Sequence, residues 1–81
     1  MTAAEYARYY EKAANEGRRL LARVTRDAVR AKAEVARAMA RGDYDPAAHD
    51  AVQQLHRLKQ DTKRSILEHA KLARHWRRKA A

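Results

Sequence analysis

The chain has no cysteine, a single proline and only two glycines among its 81 residues. The absence of cysteine excludes a disulfide scaffold, a thiolate metal site and a cysteine nucleophile. No stretch approaches the roughly 18 consecutive apolar residues that a membrane-spanning helix requires. The N-terminus also lacks the basic and then apolar regions of a secretory signal. We therefore expect a soluble, cytoplasmic protein.

Large apolar side chains are also scarce. Alanine supplies 19 of the residues in the 46% hydrophobic fraction, so only 18 larger apolar or aromatic side chains are left to form a core. A core this small stabilises a lone chain of this length only weakly. The composition therefore favours a protein that packs against a partner.

Glycine and proline are concentrated in one short segment of the chain. Gly42 suits the left-handed position just after a helix end, and Asp45 followed by Pro46 is typical of an N-cap with proline at the first helical position. Residues 2–5 have the spacing of a capping box, so a helix is expected to begin there. These signals predict a single domain over residues 1–81, with a helix from about 3 to 41, a turn at 42–45 and a helix from about 46 to 78.

The apolar residues follow a helical period in both predicted helices. In the first they recur in alternating steps of four and three, the heptad pattern of a helix–helix seam. Its members are Ala3, Ala7, Tyr10, Ala14, Gly17, Leu21, Val24, Ala28, Ala31, Val35 and Ala38. The second helix has a less regular stripe: Ala48, Val52, Leu55, Leu58, Thr62, Ile66, His69, Ala73 and Trp76. The short connection predicts an all-α fold, an antiparallel two-helix hairpin.

Folding the chain about its turn also predicts a register. Positions whose numbers sum to about 87 should lie opposite one another in an antiparallel pair. This rule pairs Val35 with Val52, Leu21 with Ile66, Ala14 with Ala73 and Tyr10 with Trp76. It also sets Gly17 opposite His69 and Ala70, where the missing side chain would admit the imidazole.

Some apolar residues lie outside the seam. They are Tyr6, Tyr9, Leu20, Val29, Met39, Leu67 and Leu72. One hairpin does not cover them all, so we expect a homodimer that forms a four-helix bundle. The alternatives are a hairpin docked on another protein and a longer filament.

Aromatic residues are expected to meet at the open end of the hairpin. Tyr6, Tyr9 and Tyr10 cluster near the start of the chain, and the fold returns Trp76 to the same end. Such a cluster favours an aromatic plug that closes an alanine-rich bundle. The alternative is a platform on which nucleic-acid bases stack.

The charge balance is strongly basic, with 19 Lys and Arg against 10 Asp and Glu, a net charge of +9 that favours acidic partners. Successive residues of a helix are rotated by about 100°, and on this basis a row of basic residues on the first helix falls within about 60° of arc, opposite the seam. This first ribbon comprises Arg8, Lys12, Arg19, Arg23, Arg26, Arg30, Arg37 and Arg41. A second ribbon on the second helix comprises Arg57, Arg64, Lys71 and Arg78, with Arg74 beside them.

Rows of arginine at helical spacing suit contact with nucleic-acid phosphates, which requires no base recognition. We predict that the contacts come from Arg19, Arg23, Arg26, Arg30, Arg37, Arg57, Arg64, Lys71, Arg74 and Arg78. The alternative is a solvated face, because Asp27, Glu34, Asp61 and Glu68 each lie within one helical turn of ribbon residues.

Candidate catalytic and metal-binding groups are few. Asp45 and His49 are four residues apart and His56 follows one heptad later, but no third metal ligand is fixed by spacing. His69 lies on the apolar stripe and is expected to be a hydrogen-bonded seam residue. Ser65 has no positioned base and acid around it. We therefore expect no enzyme activity, no metal and no cofactor.

The predicted function is that of a non-enzymatic helical hairpin that self-associates and binds the phosphates of DNA or RNA. The main alternative is a protein-only adaptor, inhibitor or assembly subunit of a filament or larger complex, with an acidic protein as partner. A membrane partner is not expected, because the alanine-rich seam would insert weakly into lipid.

Overall fold

A computed structural model describes the whole chain, from Met1 to Ala81. It consists of two helices, α1 (Ala3–Ala40) and α2 (Pro46–Ala80), and contains no strand. The helices pack side by side into a rod of 61 × 15 × 14 Å. The predicted all-helical fold with two packed helices is confirmed, whereas dimerisation stays a prediction.

The first helix begins at the predicted capping box. The main-chain N–H of Thr2 donates to Oε1 of Glu5 over 3.2 Å, and the N–H of Glu5 donates to the Thr2 hydroxyl over 3.2 Å. The two bonds satisfy amide groups that have no partner within the helix. A local four-residue pattern is therefore enough to fix this helix end.

The first helix ends one residue before the predicted position, with Arg41 as its cap. Gly42 has a φ of +82°, the left-handed conformation that glycine adopts without strain. Its N–H donates to the carbonyl of Met39 over 3.0 Å, and the N–H of Asp43 donates to the carbonyl of Ala38 over 2.9 Å. This pair of bonds is a Schellman motif, which turns the chain away from the helix axis.

The second helix begins at Pro46, as predicted. One carboxylate oxygen of Asp45 accepts a hydrogen bond from the N–H of Ala47 over 3.0 Å, while proline needs no partner at the first helical position. The helix continues to Ala80, two residues beyond its predicted end. Together the two caps leave only a short connection, so the helices run antiparallel.

The core lies along the predicted seam and is thin. All the seam residues assigned to the first helix are buried or half-buried. The buried residues are Ala7, Ala14, Val24, Thr62 and Ala73. The Thr62 hydroxyl donates to the carbonyl of Leu58 over 2.7 Å, so this buried polar group is satisfied.

The prediction that Leu58 lies in the seam of the second helix is wrong. Leu58 is 43% exposed, and the neighbouring Lys59 is half-buried in its place. The steps from Leu55 to Lys59 to Thr62 keep the alternation of four and three, whereas Leu58 breaks it. Lysine tolerates this position because its aliphatic stem covers apolar surface while the ammonium group reaches water.

The predicted register holds in part. Leu21 and Ile66, Ala14 and Ala73, and Val35 and Val52 each line a common depression between the helices. The pairing of Tyr10 with Trp76 is wrong. Trp76 stacks on Tyr6 with ring centroids 4.6 Å apart, and Tyr10 lies beside His69 with centroids 6.1 Å apart.

The expected position of His69 opposite Gly17 is also wrong. Gly17 faces Ile66, whose Cγ1 lies 2.8 Å from where a Cβ on residue 17 would stand. The apolar isoleucine fills the gap better than an imidazole, which needs a polar partner. His69 has one within its own helix, since its Nδ1 lies 3.5 Å from the Ser65 hydroxyl oxygen.

Candidate nucleic-acid interface

The two ribbons lie on opposite long edges of the rod. Every residue of the first and second ribbons is exposed, including all ten predicted contact residues. Each ribbon faces away from the seam of its own helix, so the packing of the helices points the two ribbons in opposite directions. The hairpin therefore does not bring the two ribbons together.

Few ribbon residues are neutralised by acids. Arg64 pairs with Asp61 and Arg41 with Asp43, each at 3.9 Å. Asp27 and Glu34 make no ion pair, although both lie within a turn of ribbon arginines. Exposed pairs of this kind contribute little free energy. The central arginines of the first ribbon are therefore free of ion pairs: Arg19, Arg23, Arg26 and Arg30.

A third basic surface lies between the helices and was missed in the sequence. We call it the groove face, because four shallow depressions follow one another along it. Its basic residues are Arg18, Lys32, Lys59, Lys63, Arg74 and Arg77. Glu11 is the only acid that lines these depressions. A surface with one sign of charge on concave walls concentrates anionic ligands.

The groove face is not evident from the sequence of either helix alone, because half of the residues that line its depressions come from each helix. A signal for it does exist at the seam. Five of the six cations directly follow seam positions, in the pairs Gly17–Arg18, Ala31–Lys32, Thr62–Lys63, Ala73–Arg74 and Trp76–Arg77. Residues that directly follow seam positions lie on the same flank of each helix, and antiparallel pairing brings these two flanks to one side of the hairpin.

Three arginines converge at the open end of the groove face. Arg18, Arg74 and Arg77 line a depression of about 410 Å³ together with Glu11 and Asn15. Arg77 forms an ion pair with Glu11, and a guanidinium nitrogen of Arg18 donates to the Asn15 side chain over 2.8 Å. Arg74, which the sequence places beside the second ribbon, has no protein partner. Its guanidinium is therefore available to an anionic ligand.

Aromatic rings close the same end of the hairpin. Tyr6 and Trp76 are stacked and half-buried, with ring planes 24° apart. Tyr9 meets Tyr10 edge to face at 5.1 Å, but its own ring is mostly exposed. The stacked pair therefore lies partly covered at this end of the hairpin, and Tyr9 is the exposed tyrosine of the cluster.

The hairpin has neither a metal-binding cluster nor a membrane-spanning segment. No three His, Asp or Glu side chains come close enough to form a metal site. Neither helix has a stretch of the length and hydropathy needed to cross a membrane.

The chain matches no protein-family model, no curated protein and no solved structure.

Proposed function

We propose that this protein is a non-enzymatic helical hairpin that self-associates and binds nucleic-acid phosphates through its exposed arginines. The observation that carries the proposal is the row of arginines without ion pairs along the first ribbon. Thirteen of the 19 basic residues are arginine, whose planar guanidinium binds phosphate oxygens in a bidentate manner. Phosphate contact of this kind gives affinity without sequence recognition.

The length of the rod suits a duplex. A 61 Å rod spans about 18 base pairs at a rise of about 3.4 Å per pair. Ribbon residues that are one heptad apart lie about 10.5 Å from each other along the helix axis. A straight ribbon therefore contacts phosphates at intervals rather than following one strand continuously.

Self-association is supported by the surface area of the single chain. The hairpin exposes 6271 Å², whereas a compact monomer of this mass exposes about 5,000 Å². The excess is larger than the roughly 800 Å² that each partner buries in a standard interface. Packing against a second copy would lower the exposed area of each chain to the range of a compact protein.

The alternative, a protein-only adaptor, inhibitor or assembly subunit, draws on a different observation. Val29 and Leu67 are 67% and 70% exposed on the groove face, among its cations. An acidic amphipathic helix would satisfy both the charge and the apolar surface there.

Binding to oligonucleotides of random sequence tests the proposal. Fluorescence anisotropy of a duplex of about 24 base pairs, and of its separated strands, is measured over a series of salt concentrations. We expect binding at low salt that weakens steeply as salt is added, because counterions are released on phosphate contact. Polyglutamate serves as a competitor that carries charge without phosphates. No binding at low salt would contradict the proposal and favour the protein-only alternative.

A further inference from the structure

The exposed apolar residues divide between two faces of the hairpin. Val29, Met39 and Leu67 line depressions on the groove face. Four others lie on the opposite face, which we call the leucine face: Tyr9, Leu20, Leu58 and Leu72. None of these four lines any of the four depressions of the groove face. Met1 and Tyr44 lie outside the helices, at the N-terminus and in the turn.

Helix geometry explains the division. Leu20, Leu58 and Leu72 directly precede seam residues, whereas five of the six groove cations directly follow seam residues. Positions before and after the seam lie on opposite flanks of a helix. The antiparallel pairing therefore collects the leucines of both helices on one side.

The two faces also differ in charge. The groove face has six cations and one carboxylate that is already paired. The rows bordering the leucine face mix both signs, with Glu16, Asp27, Glu34, Asp61 and Glu68 beside Arg23, Arg30, Arg37 and Lys79. Two groove faces would repel each other, whereas two leucine faces bring carboxylates of one chain near cations of the other.

We infer that the leucine face is the surface on which a second copy of this chain packs, giving an isologous four-helix bundle. The inference rests on the self-association proposed above and names the surface responsible. One side of a rod 61 Å long and 15 Å wide offers about the 800 Å² that each partner of a stable dimer buries. In this dimer both groove faces point outward, on opposite sides, and stay exposed.

Sedimentation of two matched double variants tests the inference. L20Q/L72Q changes the leucine face, and V29Q/L67Q changes two more exposed residues on the groove face. We expect the wild type to be a dimer at micromolar concentration. We expect L20Q/L72Q to weaken dimerisation about a hundredfold, since four partly exposed leucines leave the interface. V29Q/L67Q should leave the dimer unchanged, and all three proteins should keep the same helix content by circular dichroism.

Single cysteines provide a second measurement that does not depend on destabilising the interface. Because the chain has no cysteine of its own, Leu20→Cys and Leu67→Cys can each be treated with a short bis-maleimide. Leu20 lies midway along α1, close to the two-fold axis that would relate two rods overlapping along their length, so only Leu20→Cys should give cross-linked dimers. A monomeric wild type would overturn both self-association and this inference. A dimeric wild type in which V29Q/L67Q dissociates as much as L20Q/L72Q, or in which neither variant dissociates, would overturn the assignment of the face alone.

Discussion

The main chain of Gly17 lies directly against the side chain of Ile66, across the seam between the two helices. A Cβ on residue 17 would stand 2.8 Å from Cγ1 of Ile66, closer than real contacts of this kind. Isoleucine is branched at Cβ and has little freedom to turn away within a helix. The missing side chain at position 17 therefore lets the helices meet at this point and helps to set their register.

The contact predicts that Gly17→Ala has opposite effects in two backgrounds. In the wild type, the overpacking cost of about 1–3 kcal/mol should exceed the helix-propensity gain of about 1 kcal/mol, so the free energy of unfolding falls by up to about 2 kcal/mol. In an Ile66→Ala background the close contact is absent, and Gly17→Ala should raise the free energy of unfolding by about 1 kcal/mol. Urea denaturation at one fixed protein concentration measures both effects. Stabilisation by Gly17→Ala in both backgrounds would contradict the close contact.

The stacking of Trp76 on Tyr6 can be followed through the only tryptophan of the chain. Tyr6→Leu should shift the Trp76 emission to longer wavelength, because the stacked ring no longer shields the indole from water. Tyr10→Leu removes a similar area from the same end and is the matched control, since Tyr10 lies beside His69 instead. A larger emission change in Tyr10→Leu would favour the register expected from the sequence over the one observed.

The antiparallel arrangement predicts a disulfide within one chain. Leu21→Cys/Ile66→Cys should oxidise to a product with the mass of a single chain, because the two residues line the same depression. Leu21→Cys/Val52→Cys is the control, since Val52 lies one depression or more toward the turn. Oxidation at low protein concentration followed by mass spectrometry measures both. Equal disulfide formation in the two variants would contradict the register at Leu21.

Features that depend on neighbouring residues could be predicted from the sequence. The capping box at Thr2 and the glycine after α1 need only a few residues on either side. The exposure of both ribbons follows from the helical period alone. The heptad spacing alone predicts Lys59 in the seam. Leu58 is the apolar residue next to it, and choosing the apolar residue gives the wrong seam position.

Features that depend on both helices at once could not be predicted in the same way. The register depends on which side chain fills the space above Gly17, and residue numbering about a turn does not contain that information. The groove face has the same origin. Arg18 and Arg74 are 56 positions apart in the chain, and only the packed hairpin places them around one depression.

Neutralising one basic surface at a time identifies the surface that contacts phosphates. The first-ribbon variant replaces Arg19, Arg23, Arg26 and Arg30 with glutamine. If these residues contact phosphates, affinity should fall for all nucleic-acid sequences while helix content stays the same, because none of them is part of the seam. Each lost contact should also reduce the slope of log affinity against log salt by about 0.9 for duplex DNA, or about 0.7 for single strands. Anisotropy titrations over a salt series measure both quantities.

Loss of any four cations weakens binding to a polyanion, whether or not they touch phosphates. A second variant with the same net charge as the first-ribbon variant is therefore the control. The groove variant replaces Arg18, Lys32, Lys63 and Arg74 with glutamine, so both variants lose the same net charge. Long-range attraction falls equally in the two, whereas counterion release falls only where phosphates are touched. A reduced slope in the first-ribbon variant alone therefore assigns the contacts to the ribbon. A reduced slope in the groove variant alone would move them to the depressions between the helices, and unchanged slopes in both would contradict phosphate contact by either surface.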